Sequence, residues 1–232
     1  NCYDGYLHVK PVVFWQQENL LQQYLPNLDR YIVLSDYDKR DYMEKLGIDC
    51  EVKINPRSFV SEKKCDVKSK RFLMATRFVY AKGLDLMMES FEEFCKEDSE
   101  WELDIIGDGD LFDQIRADAK KRHLEKRVHF VGYTNEPEKY YLNSSVFLLP
   151  SRWEGWPMVI MEAFEFGLPV IAYHMGAMDL IIDDGKTGFL PEAFDPHKFA
   201  QAMLKLAHDE ELRARMSANA IAKSDDFSID KA

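Results

Sequence analysis

Between Phe72 and Leu190 the chain switches so regularly between strand-like runs and helical stretches that few folds remain open to it. Short runs rich in branched and aromatic residues, at Phe72–Ala75, Glu102–Ile106, Val128–Val131, Val146–Leu149, Val170–Ala172 and Gly188–Leu190, read as strands. Helical patterns fill the intervals, over 84–97, 111–122, 136–143, 157–166 and 177–183, and two more follow near 196–207 and 209–223. Strands alternating with helices of this length form βαβ units. We therefore expect an α/β fold, a Rossmann-like parallel sheet with helices on both faces. Ligands on such sheets bind at the carboxyl ends of the strands, so the loops there are the first place to look for chemistry.

Ahead of this series the pattern is shorter. Pro11–Trp15 and Tyr31–Leu34 read as strands, Ser35 with Asp38 gives a capping-box-like helix start, and Gly47 ends that helix. A third short strand at Val52–Ile54 precedes the turn Asn55-Pro56. Ser58–Lys70 is polar and lysine-rich and reads as a linker. The expected division is a partial second α/β domain over 1–57, a linker over 58–70, and the main domain over 71–232. The chain begins without methionine and stops in a helix-start pattern at Asp225–Asp230, so both ends read as cut. Tyr3, Tyr6, Phe14 and Trp15 then read as a surface left uncovered, with poor solubility or dimerisation as the expected consequence.

Composition sets outer limits. With 232 residues, 46% hydrophobic and 13% aromatic, the chain can bury a core, which excludes a disordered class. A net charge of −11 argues against nucleic acid or an anionic membrane as the main partner. Cys2, Cys50, Cys65 and Cys95 have neither metal-type spacing nor the density of a disulfide scaffold, which suits reduced thiols in a cytosolic protein. No run approaches a membrane span and no signal-peptide pattern is present.

The strand-end loops carry the candidate chemistry. Arg77 and Lys82 follow Phe72–Ala75 on one loop, where a planar fork and a compact ammonium can converge on a diphosphate; two solvated surface cations are the plain alternative. Gly107-Asp108-Gly109-Asp110 follows Glu102–Ile106 and permits a tight turn and close approach of backbone to phosphate or sugar, without the third glycine of a dinucleotide fingerprint. Asp108 and Asp110 resemble a metal-binding pair, but Asp110 reads better as the N-cap of the next helix. Tyr133, after Gly132, packs on a base or else serves as a core tyrosine under the loop, and His174 reads as structural or as a wall of the site.

Glu154-Gly155-Trp156-Pro157 reads as a turn feeding a helix from Met158, with Glu162 further along. Treated as one helical run, eight positions separate the two carboxylates by roughly 12 Å on nearly one face. Two acceptors so placed, flanking the free N–H groups of a helix start, could hold the two ends of a nucleotide-diphosphate-sugar. Two unrelated surface glutamates would show the same spacing.

Taken together, Arg77 with Lys82-Gly83, Ile106-Gly107-Asp108-Gly109, Val131-Gly132, Glu154-Gly-x-Pro-x(4)-Glu162-Ala163 and Gly167-Leu168-Pro169-Val170-Ile171 resemble the donor-binding domain of the family-four retaining glycosyltransferases, which have the GT-B fold. The resemblance spans about residues 28–223. It implies that Arg77 and Lys82 bind the donor diphosphate, that Glu162 accepts the ribose hydroxyls, and that Glu154 contacts the transferred sugar. Gly107, Gly109, Tyr133, Gly155, Trp156, Pro157 and Met158 would complete the donor site, with Glu154, Arg77 and Lys82 closest to the chemistry. The partners implied are a nucleotide-sugar and a glycan or lipid-linked acceptor, without nucleic acid, metal or other cofactor. A cytoplasmic setting, at most peripheral to the membrane, and a role in surface polysaccharide biosynthesis follow from the same likeness. Where the family often carries a histidine in the acceptor domain, this chain has Gln16-Gln17-Glu18 and only His8 upstream. A truncated GT-B relative that binds a nucleotide-sugar or partner without catalysis is the competing reading, and a sugar-phosphate epimerase or a phosphorylase a more distant one.

Overall fold

A computed structural model describes residues 28–231. The expected strand at Pro11–Trp15, the aromatic group at the front, Cys2, His8 and Gln16–Glu18 lie outside the described residues.

The first elements form a small unit of their own. Strands β1 (Ile32–Val33) and β2 (Glu51–Val52) pair in parallel as a two-stranded sheet, joined through helix α1 (Asp36–Leu46). Ser35 caps α1 in both directions: its hydroxyl accepts from the Asp38 N–H at 3.1 Å and donates to the Asp38 carboxylate at 2.9 Å. Gly47, at φ 67°, closes the helix in the left-handed conformation.

The rest builds one sheet. Strands β3 (Arg71–Ala75), β4 (Glu102–Ile106), β5 (Val128–Gly132), β6 (Val146–Leu149), β7 (Val170–Ala172) and β8 (Gly188–Phe189) alternate with helices α2 (Leu84–Phe94), α3 (Phe112–Lys121), α4 (Glu138–Leu142), α5 (Met158–Glu165) and α6 (Met178–Ile181). Helices α7 (Pro196–His208) and α8 (Glu210–Ser224) end the series. All neighbouring strands run parallel in the order β5-β4-β3-β6-β7-β8. The chain thus winds outward from β3, returns beside it with β6, and winds outward again. This reversal leaves a crevice between the β3 and β6 carboxyl ends, the usual ligand position in a doubly wound sheet.

The central strands are buried on both faces, and successive residues divide between them. Phe72, Met74, Val146 and Leu148 join a core with Met87 and Phe91 of α2, Ile115 of α3, and Phe199 and Met203 of α7. Leu73, Phe147 and Leu149 join a second core with Tyr141 of α4 and Ile160, Ala163 and Phe164 of α5. Such two-sided burial explains the wholly apolar β6 and β7, whereas β3, β4 and β5 carry Arg71, Glu102, Asp104 and His129, which bond one another.

Three local expectations are corrected. Helix α5 begins at Met158 with Pro157 as its N-cap, as expected, so Glu154 precedes the helix and the spacing and shared face estimated along one helical run do not apply to the two glutamates. Proline has no N–H to bond and its φ suits a helix entry, which is why the helix starts directly after it. Asp110 does not cap α3 either: the cap position is Leu111, without a side-chain hydrogen bond, because the Gly109 carbonyl takes the Phe112 N–H and the turn closes one residue later. Helix α2 ends at Phe94, short of 97, where the Asp98 carboxylate collects the Glu100 and Trp101 N–H groups and redirects the chain into β4.

The lysine-rich stretch expected as a linker is fastened along its front half. Glu165, at the end of α5 with a side chain only 3% exposed, receives the Arg57 guanidinium at 2.8 Å, the Ser61 N–H at 2.8 Å and the Lys64 ammonium at 3.1 Å. The Cys65 N–H then bonds the Phe166 carbonyl and the Asp66 N–H the Leu142 carbonyl. This strap lies along α5. Cys50, Cys65 and Cys95 are free thiols, and burial raises all three, Cys65 to about 11, which keeps it protonated and unreactive. Among the described residues no helix is long and apolar enough to cross a membrane.

Candidate functional site

The loops leaving β3, β4 and β6 meet backbone to backbone at the mouth of the sheet. A Cβ on Gly107 would come within 1.8 Å of the Thr76 carbonyl oxygen, and one on Gly83 within 1.9 Å of the Pro150 carbonyl oxygen. Both glycines also have positive φ, 126° and 64°. Side chains tighten the same junction. Arg152 donates to Asp85 at 2.7 and 2.5 Å, donates to the Tyr80 carbonyl at 3.0 Å, and stacks 4.0 Å over the Tyr80 ring. Burial opposes ionisation of Asp85, yet the Arg152 contact overrides it and holds this carboxyl below its ordinary value.

Above this floor lies a cavity of about 440 Å³ that takes in Arg77, Lys82, Gly107, Asp108, Tyr133 and Val159. The two predicted cations therefore share one cleft, at the switch between β3 and β6. Among the described residues the exposed Arg77 guanidinium meets no acceptor. Lys82 differs: its ammonium bonds both carboxylate oxygens of Glu154, at 2.7 and 2.8 Å. Glu154 also receives the hydroxyl of buried Ser151 at 2.6 Å, and its side chain is 8% exposed. The first glutamate of the pair is thus held beneath the ammonium, with every near partner a donor.

Tyr133 is 78% exposed at the rim of the cleft, which removes the core-tyrosine alternative. The two glycines after β4 are used otherwise than expected. The Gly107 N–H bonds the Gly132 carbonyl and the Gly109 N–H bonds the Asp108 carboxylate, so neither is free to grip a phosphate. Their missing side chains admit the β3 loop instead, since a Cβ on Gly109 would lie 2.8 Å from Phe78 backbone atoms.

The Trp156 and Pro157 side chains turn away from the cleft. Trp156 packs in the second core, edge-on to Phe227, with its indole N–H on the Asn55 carbonyl at 3.2 Å; Pro157 is buried beside it. Their apolar bulk goes inward because the helix entry must be sealed against the core. What faces outward is main chain: no acceptor meets the Gly155 or Trp156 N–H among the described residues, and the α5 start leaves its first N–H groups open. Met158, half-buried, packs against the second core.

Glu162 lies apart from the cations. It lines an adjoining cavity of about 590 Å³ with Phe59, Tyr141 and Phe166, and the two cavities share Pro137. Its Oε2 accepts from the Tyr141 hydroxyl at 2.9 Å. Burial raises the Glu162 carboxyl above its ordinary value, partly offset by that hydrogen bond. Burial, then the neighbouring carboxylate, lifts the Tyr141 phenol well above its own. His174 is exposed in a separate depression with Asp179 and Asp183, so it is no wall of the cation cleft.

Sequence reasoning passed over Ser151 and Tyr141. A serine after a strand-end proline and a tyrosine in a short helix carry no pattern of their own; only the fold shows what they touch. Among the described residues no group of three or more His, Cys, Asp or Glu side chains is placed to hold a metal ion.

Comparison with known proteins gives a consistent answer. The profile of the family described as Glycosyl transferases group 1 matches residues 58–223. An uncharacterized glycosyltransferase of Haemophilus influenzae is 28% identical over 206 residues, covering 88% of this chain and 58% of that protein. The UDP-Gal:alpha-D-GlcNAc-diphosphoundecaprenol alpha-1,3-galactosyltransferase of Escherichia coli is 34% identical over 116 residues, 50% of this chain and 30% of that protein. The crystal structure of S. aureus TarM superposes with a TM-score of 0.83 at 24% identity, covering 92% of this chain and 44% of that one, a likeness of fold. The chain spans from about a third to rather over half the length of these proteins. With a parallel α/β sheet, an open cation cleft at its switch point and a family profile matched from 58 to 223, the chain belongs to the group 1 glycosyl transferases.

Proposed function

We propose that this chain binds the donor of a retaining glycosyltransferase, which moves a sugar from a nucleotide-diphosphate-sugar to a glycan or lipid-linked acceptor in surface polysaccharide assembly. One observation carries the reading: Arg77, without an acceptor among the described residues, faces the switch-point cleft beside Lys82. The donor and acceptor written into the name of the Escherichia coli relative, a UDP-sugar and a lipid diphosphate-linked sugar, agree with this chemistry.

In this reading the diphosphate sits on Arg77 and Lys82 with the α5 N-terminus behind it. Charge developing on the departing phosphate is then met by two cations and by open N–H groups. As Lys82 turns toward phosphate, Glu154 is released to accept hydroxyls of the transferred sugar, with Ser151 keeping it in place. Tyr133 stacks on the base and Glu162 takes the ribose. The reaction is proposed to need no metal or other resident cofactor, and the protein to work at the cytoplasmic side, at most peripheral to the membrane.

Thermal shift with UDP, GDP and ADP tests the site. At a hundredfold excess over its Kd, a nucleotide should stabilise the fold by about 2.7 kcal/mol. Arg77→Ala and Glu162→Ala should each weaken that stabilisation; undiminished shifts in both would remove the donor-site assignment. Hydrolysis of the matching nucleotide-sugar separates a transferase from a module that only holds its donor.

A further inference from the structure

Glu162 is held from one side only. Tyr141 bonds Oε2, while Oε1 meets no donor among the described residues and the side chain opens on the second cavity. Tyr141 itself has almost no freedom. Its ring lies against Phe147, 5.9 Å between centroids and 5° from parallel, and against Phe166 at 5.0 Å. Only 2% of the residue is exposed. A hydroxyl on so confined a ring is a fixed donor, and a carboxylate bonded to it has one oxygen spent and the other aimed.

We propose that Tyr141 is a positioning residue: its hydroxyl orients the Glu162 carboxylate so that the remaining oxygen is presented to the ribose diol of a nucleoside diphosphate. The proposal rests on the reading of Glu162 given above and supplies the part that makes a half-buried carboxylate selective. To accept from a diol Glu162 must be ionised, which burial disfavours and the Tyr141 bond favours. The other charged groups around it are Lys63 of the strap, Glu136 ahead of α4, and Glu138 and Lys139 on α4. These pair with one another, Lys63 with Glu138 at 3.0 Å and Lys139 with Glu136 at 3.3 Å. Tyr141 is left as the hydrogen-bond partner of Glu162 among the described residues.

The test measures affinity for UDP, GDP and ADP, for their 2′,3′-dideoxy counterparts, and for inorganic pyrophosphate. The parent should prefer ribose over dideoxyribose by about tenfold, the worth of one hydrogen bond to a charged group. Tyr141→Phe keeps the ring and should shrink that ratio several-fold, leave pyrophosphate binding unchanged, and move the acid limb of nucleotide binding to higher pH. A purely structural role would lower all affinities together and leave ratio and pH limb in place. A parent that binds nucleotide without a ribose preference overturns the Glu162 reading and this inference with it. A parent that has the preference, with Tyr141→Phe retaining it in full, overturns the inference alone. Should Tyr141→Phe not fold, Phe166→Leu keeps the hydroxyl but frees one face of its ring. It should reduce the ratio in the same direction, and an unreduced ratio counts against the proposal.

Discussion

Glu162 shows how a single side chain can burden the fold it belongs to. Its carboxyl is raised by burial, so the folded protein holds this proton more tightly than the unfolded chain does. The stability it contributes is therefore complete below the unfolded carboxylate value of about 4.3 and is lost as pH rises through the folded value. At neutral pH the ionised group is a net load on the fold. Glu162→Gln should accordingly melt at or above the parent temperature at pH 7.5, and the difference should vanish near pH 4. Thermal melts at the two pH values check this; a variant less stable at pH 7.5 than at pH 4, relative to the parent, contradicts it. Glu154 is the counterexample. With a side chain 8% exposed, it has a bidentate ammonium and a hydroxyl on its two oxygens, so the same residue type is satisfied beside the cations and left wanting in the adjoining cavity.

Between elements, main-chain contact decides the geometry of the mouth. Gly107 lets the β4 loop lie against the β3 loop, where a methyl group would stand 1.8 Å from a carbonyl oxygen. Gly185 has a φ of 74°, in the left-handed region, against 126° for Gly107, and nothing lies within 4 Å of its absent Cβ. The pair sets left-handed strain alone against strain with collision. Gly185→Ala should cost about 1–2 kcal/mol, the left-handed penalty alone. Gly107→Ala should cost several times more and weaken pyrophosphate binding, since the loop bearing Arg77 must move. Chemical denaturation of the two variants makes the comparison, and equal losses would mean the loop contact is slack. These elements were legible in sequence because each strand ends in turn residues at the place a parallel sheet exposes. The start of α5 at Met158 was legible because a proline in the first turn marks a helix entry; the spacing of the two glutamates was not, because the first of them precedes the helix and no single helical run joins them. Glu165 was overlooked although a charge between Phe164 and Phe166, in a helix otherwise apolar at this end, is itself a signal of a buried ion pair.

Across the whole molecule, two cores are fed by one sheet, neighbouring residues of a strand serving opposite faces. Phe72 packs against Phe94 and Trp101 on one side, and Phe147 against Tyr141 on the other. Phe72→Ala and Phe147→Ala should each cost about 3–5 kcal/mol. Both should lower the same cooperative transition, seen alike by near- and far-ultraviolet circular dichroism; two separate transitions would show that the faces unfold independently. The α/β class was readable from alternation alone, since no other arrangement accommodates so many strands with a helix after each. Strand order was not, because alternation is the same whichever way the chain turns after β5. The cation loop was readable for the reason that it ends a strand, whereas the bond between Tyr141 and Glu162 joins helices separated by a whole strand. One further consequence concerns leverage. The strap is moored to Glu165, a single turn along α5 from Glu162. Any tug on the chain around Arg57–Lys64 is therefore delivered to the rod that carries the Glu162 carboxylate.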